Sequence, residues 1–260
     1  MAAALSEFEN RLDEILAAAK FVNRAFRLRP RIGSSIIWGG MENDLRTLVL
    51  GFLAQNMPVE LEVMNSLLVR SVGCFERYIR AVAAEALSVQ AALASTPGDL
   101  PDELRKRNLV LSARLLASLD SPKDHVVFDT RAVITNLARC ENNQKPYQLN
   151  AVAFSSFIQS PSSDAVDKVL SSVGVNQIFE SVGRYLPMQE MLNLNDTRTT
   201  NKRTVARLTE IIRWRNNLAH AGDDERSIDS DDLGHAIDFL RTLGRGIDEA
   251  VGSEFPTRPA

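Results

Sequence analysis

Apolar residues recur along this chain mostly three and four positions apart, while strand-like alternation is confined to short runs, so the pattern predicts helices. The first amphipathic stretch opens at Ser6 and puts Phe8, Leu12, Ile15, Leu16 and Ala19 on one side; Arg29-Pro30 is expected to break it. Pro and Gly punctuate 30–40, which reads as a loop, and a second helix is expected over 42–55. A long third helix is expected from Val59 to about Ala94, with Leu61, Met64, Leu67, Leu68, Val72, Phe75, Ile79 and Val82 on one face. Thr96-Pro97-Gly98 should end it, and Ser121-Pro122 should close the next helix, over 100–119.

The middle of the chain reads as a helix over 129–139, a polar loop over 141–147 and short helices over 151–158, 164–172 and 177–185. The hydrophilic stretch 192–201 reads as a connector. A strong helix is expected over 202–221, and Asp229 and Ser230 are candidate N-caps of a last one reaching about Val251, followed by a frayed tail. There is no internal repeat, and the connections are short. The expected architecture is therefore all-α, one compact multi-helix bundle over 1–260.

Composition narrows the classes. Hydrophobic residues make up 45% and charged residues 24%, which fits a folded core rather than a disordered chain. The net charge of −3 excludes a protein that coats nucleic acid through overall basicity, so any such contact must come from a local patch. Cys74 and Cys140 stand far apart and suggest neither a disulfide framework nor a zinc cluster, and the three histidines have no HExxH spacing. No cofactor or metal is expected. Glu7, Glu9, Asp13 and Glu14 interrupt the N-terminal apolar positions, so neither a signal peptide nor a membrane span is expected, and the cytoplasm is the expected compartment.

The helix expected over 202–221 carries the chemistry. Val205, Leu208, Ile211, Ile212 and Ala219 form an apolar stripe that Trp214 and Leu218 widen. Arg213, Asn216, Asn217 and His220 stand at i, i+3, i+4 and i+7, in line along one side, with Arg215 flanking them. Asparagine is a poor interior helix residue, so two in succession suggest residues kept for their side chains. Between 197 and 220, Arg198, Lys202, Arg203, Arg207, Arg213 and Arg215 are opposed only by Glu210. An acidic whole thus contains a basic helix face.

Arginine can hold two phosphate oxygens and stays charged, and histidine moves a proton near neutral pH. RNA brings its own nucleophile, the 2′-hydroxyl, so the set suits phosphodiester cleavage without a metal. A plainer account makes Arg215 a surface ion-pair partner and His220 a residue favoured by the helix dipole.

IIRWRNNLAHAGD, near the end of an all-helical chain, resembles the signature of the HEPN superfamily: an arginine, a polar residue next to it, and a histidine a few positions on. Arg215, Asn216 and His220 fill those places. LLVRSVGCFERYIRAV (67–82) resembles the early long helix of the RiboL-PSP-type families, with Glu76 at their glutamate. The resemblance covers roughly 59–251 as a core and leaves 1–58 as an N-terminal helical extension packed on it. It implies a helical bundle with the motif on the penultimate helix, commonly a homodimer in which two motif helices form one cleft. Many members are metal-independent endoribonucleases of toxin–antitoxin, abortive-infection or other antiviral systems; others have lost catalysis and bind RNA, a nucleotide or a protein. The implied catalytic residues are Arg215, Asn216 and His220, supported by Arg213, Asn217 and Glu76. The implied partners are an RNA substrate, a second copy, and an antitoxin or defence-system protein.

Glu76 either orients Arg215 or Arg213 or makes an ion pair along its own helix. Tyr78 and Arg80 read as packing and solvent contacts, His235 as a partly buried helix residue, and His125 as a loop residue. The acidic run 223–232 lacks EF-hand spacing and reads as solvated loop and helix cap. Arg24, Arg27, Arg29 and Arg31 form a basic cluster that could guide RNA or simply face solvent.

Overall fold

The computed structural model describes residues 2–32, 58–120, 127–156, 160–219 and 228–255. Ten α-helices occur among them, with no strand: α1 (Ala2–Ile32), α2 (Pro58–Leu93), α3 (Asp102–Ala117), α4 (Thr130–Glu141), α5 (Ala151–Ser155), α6 (Ser163–Ser172), α7 (Ile178–Arg184), α8 (Leu186–Leu192), α9 (Thr197–Ala219) and α10 (Ser230–Glu254). The all-α architecture of the sequence reading is thus the observed one, with the Arg215-bearing helix as penultimate element.

The long helices α1, α2 and α10 pack mutually, and α9 packs against α2, α7, α8 and α10. In α1 the buried residues are Ala4, Phe8, Leu12, Ile15 and Ala19, a single row at helical spacing. On α2 the buried set is broader: Met64, Leu68, Val72, Phe75, Ile79 and Val82 on one side, with Cys74, Tyr78, Ala83 and Leu87 beside them. A helix apolar over so wide an arc must be covered on several sides, and neighbours cover α2 from α1, α10, α9, α5 and α6. Phe8 stacks on Tyr78 with ring centroids 4.7 Å apart, and the Tyr78 hydroxyl donates to the Gly244 carbonyl at 2.7 Å. Arg241 and Arg245 of α10 reach Asp13 and Glu9 of α1.

Beside this core, α3, α4 and α5 are joined by a buried polar hub. Asn150 donates its backbone N–H to Asn108 at 3.0 Å and its side-chain amide to Ser112 Oγ and the Val133 carbonyl; its own Oδ1 accepts from Asn136. With each polar group partnered, Asn150 can sit in the interior without a desolvation penalty of a few kcal/mol (about 1–3).

Three expectations need correction. The first helix does not break at Arg29-Pro30 but runs to Ile32; a proline there removes only one backbone donor close to the helix end. The stretch 192–201 is not one connector, because α9 begins at Thr197 and α8 ends at Leu192. Asp196 starts α9: its Oδ2 accepts the Thr199 N–H at 2.7 Å, and its carbonyl accepts the Thr200 N–H at 2.9 Å. Thr200 and Thr204 are fully buried, so hydroxyl residues supply part of the apolar side there. Finally, His235 is exposed rather than partly buried. The loop expected over 30–40 and the helix over 42–55 lie largely or wholly outside the described residues, as do His125, 157–158 and 220–221.

Candidate active site

Asp196 sets the start of α9, and the row Leu208, Ile211 and Ile212, all buried, fixes which side of it meets the core. Arg215 stands seven, four and three positions after these residues, so it continues the core-facing row. It is half-buried, and its Nη2 donates to Ser160 Oγ at 3.1 Å, across the segment between α5 and α6. Its Nε is buried and has no acceptor among the described residues. The guanidinium is therefore held at one edge and retains donor capacity.

Arg213 lies two residues earlier, about 200° around the helix, and is exposed. It lines an open groove with Arg203, Ala206, Arg207, Thr209 and Glu210 of α9 and Leu192 of α8. In this groove Arg207 pairs with Glu210 at 2.7 Å, and its guanidinium carbon lies 4.9 Å from the centre of the Trp214 ring. Asn216 and Asn217 are half-buried. By helical spacing, Asn217 continues the Arg213 side and Asn216 lies between Arg213 and the core.

The structure thus divides the expected residues between two sides of α9. Arg213 belongs with the groove, with Asn217 one turn on along the same side, while Arg215 belongs with Ser160. Glu76 orients neither arginine: its carboxylate pairs with Arg80 at 2.6 Å, one turn along the same helix. His220 lies outside the described residues. Ser160 was invisible to sequence reasoning, since nothing local marks a serine as the partner of an arginine 55 positions later. The groove was legible as the basic run from Arg198 to Arg213.

Among the described residues, no three His, Cys, Asp or Glu side chains gather where they could hold a metal ion, and no helix is long and apolar enough to cross a membrane.

An all-helical bundle whose penultimate helix ends on Arg-Asn-Asn-Leu-Ala defines a protein of HEPN type. The chain belongs to the RiboL-PSP-HEPN family, whose model matches residues 49–253. That match takes in α2 through α9 and nearly all of α10, and leaves α1 outside it. No curated protein and no solved structure matches the chain.

Proposed function

We propose that this chain is a metal-independent endoribonuclease, working as a homodimer in the role of a toxin or an antiviral, abortive-infection effector. The observation that carries the reading is Arg215 itself: a half-buried arginine on the family's motif helix, tethered at one edge by Ser160 and with a buried Nε donor still to be used. A structural arginine in that position would be expected to pair with a carboxylate, whereas among the described residues Arg215 meets a neutral hydroxyl, which leaves its charge to an anion.

In this mechanism the 2′-oxygen attacks the adjacent phosphorus and the bond from phosphorus to the 5′-oxygen breaks. The 2′-hydroxyl proton passes to a base and the leaving 5′-oxygen receives a proton, so the products are a 2′,3′-cyclic phosphate and a 5′-hydroxyl. His220 acts as base or acid, Arg215 stabilises the charge that builds on the phosphorane oxygens, and Asn216 orients the imidazole or holds a phosphate oxygen. One motif supplies one arginine and one histidine; a two-fold pair doubles the set in one cleft.

The test is incubation of the protein with bulk tRNA, rRNA and mRNA in EDTA. Cleavage should persist in the chelator, spare RNA that lacks the 2′-hydroxyl at the scissile position, and fall about a hundredfold or more in Arg215→Ala. His220→Ala should likewise relieve any growth arrest that production of the protein causes. Equal cutting of DNA, or arrest of the reaction by EDTA, would refute the mechanism. One observation favours a second reading, a non-catalytic module that binds RNA, a nucleotide or a protein partner: the open basic groove lies on the side of α9 away from Arg215. Retained RNA binding with no cleavage under any condition would select it.

A further inference from the structure

We infer that the groove along α9 is a track for the backbone of single-stranded RNA, separate from the place where Arg215 acts. The inference rests on the RNA reading above and extends it to residues which that reading does not use. Arg203, Arg207 and Arg213 line one groove and lie within ten positions of a single helix, so their backbone positions span about 15 Å of its axis. Ala206 and Thr209 lie between them, and such short side chains leave room for a strand to run close to the helix.

The charge of the groove is not cancelled internally. Glu210 is the only acid among the described residues that line it, and Arg207 takes it. Arg203 and Arg213 are exposed and have no ion-pair partner among the described residues. Lys202 and Arg198 add two exposed cations on neighbouring positions of the same helix. This concentration stands in a chain whose net charge is −3, so it is a local feature and not a reflection of overall basicity.

A row of three arginines that keeps a net positive charge matches a chain of phosphates, one charge after another, better than it matches a single carboxylate. Arg207 also lies over the ring of Trp214, a cation–π contact that helps hold its guanidinium in place along the row. Asn217 follows Arg213 by one turn on the same side, so the track leads toward the end of the motif helix. The groove and the Ser160-held Arg215 then occupy different sides of one helix.

The experiment uses the full chain. Binding of a 5′-labelled single-stranded RNA is read by fluorescence anisotropy in an Arg215→Ala background, across a series of salt concentrations. Arg203→Glu with Arg213→Glu should weaken binding at least tenfold. It should also flatten the dependence of log K on log salt by about 0.7 for each phosphate that the protein no longer neutralises. Lys106→Glu with Lys168→Glu, an equal charge change on α3 and α6, should move neither quantity. In the Arg215-intact protein the groove variant should raise KM for RNA more than it lowers kcat. Unchanged affinity and salt slope in the groove variant would overturn the inference and leave the ribonuclease reading standing. Groove-dependent binding without any cleavage would do the reverse. Displacement of the RNA by polyglutamate of equal charge would also overturn it, since an acidic peptide would then be the better occupant.

Discussion

Ser160 accepts from Arg215 at 3.1 Å and thereby fixes which edge of the guanidinium is turned away from it, the edge that meets the phosphate in the proposed mechanism. Losing that hydroxyl should cost orientation more than binding. Ser160→Ala is expected to lower kcat about 10- to 100-fold with little change in KM, while Ser160→Thr, which keeps the oxygen, recovers most of the rate. A wild-type rate in Ser160→Ala, at unchanged circular dichroism, would remove Ser160 from the site. A second residue bears on pH. Burial pushes the Asp248 carboxyl above its ordinary 3.8, and Glu85 and Glu9 add to the effect; its Oδ1 is buried without a hydrogen-bond partner among the described residues. Between the ordinary and the raised value the folded chain holds more protons than the unfolded one, so stability falls as pH rises through that window and stays lower above it. Asp248→Asn should therefore raise Tm at neutral pH, and the gain should vanish below the ordinary carboxylate range. Thermal scans from pH 3 to 8 check both the sign and the window. The Arg215-Asn216-Asn217 run was legible because asparagine pairs are costly inside a helix, but the place of each side chain was not. Two arginines two residues apart look alike in sequence and face opposite ways in a helix.

Among the helices, α9 depends on a close approach by α7. A Cβ built on Gly183 would lie 2.7 Å from the Thr197 carbonyl oxygen, which is backbone and cannot swing aside. Gly183→Ala is expected to destabilise the fold by about 1–3 kcal/mol and to loosen the start of α9, with slower RNA cleavage following from the displaced motif. Denaturant titration and amide exchange over 197–204 would read this; full retention of both would show that α7 can back away freely. The long helices could be read from their apolar periodicity, and α2, α6 and α10 fall within a few residues of expectation. The start of α9 was misread because Thr200 and Thr204 occupy core positions, so a stretch with polar composition hid a buried side. The cap at Asp196, followed three positions later by Thr199, was the local cue that could have located it.

The whole molecule is expected to associate as a two-fold pair, because one motif per chain leaves an acid, a base and an anion clamp to be shared by too few groups. Light scattering at micromolar concentration should give twice the chain mass, and mixing Arg215→Ala with His220→Ala chains should restore partial cleavage if the two copies complete one cleft. A strict monomer that still cuts RNA would sink the shared-cleft idea. The mutual packing of α1, α2 and α10 has a consequence for how the chain comes into being. Phe8 and Tyr78 are made early, yet the Gly244 backbone that closes over them belongs to the last helix. At about 5–20 residues per second, a ribosome needs about 10–30 s to travel from the end of α2 to the end of α10. For that interval the nascent chain carries a sticky, unfinished face, and chaperone engagement should be heaviest before α10 emerges from the exit tunnel.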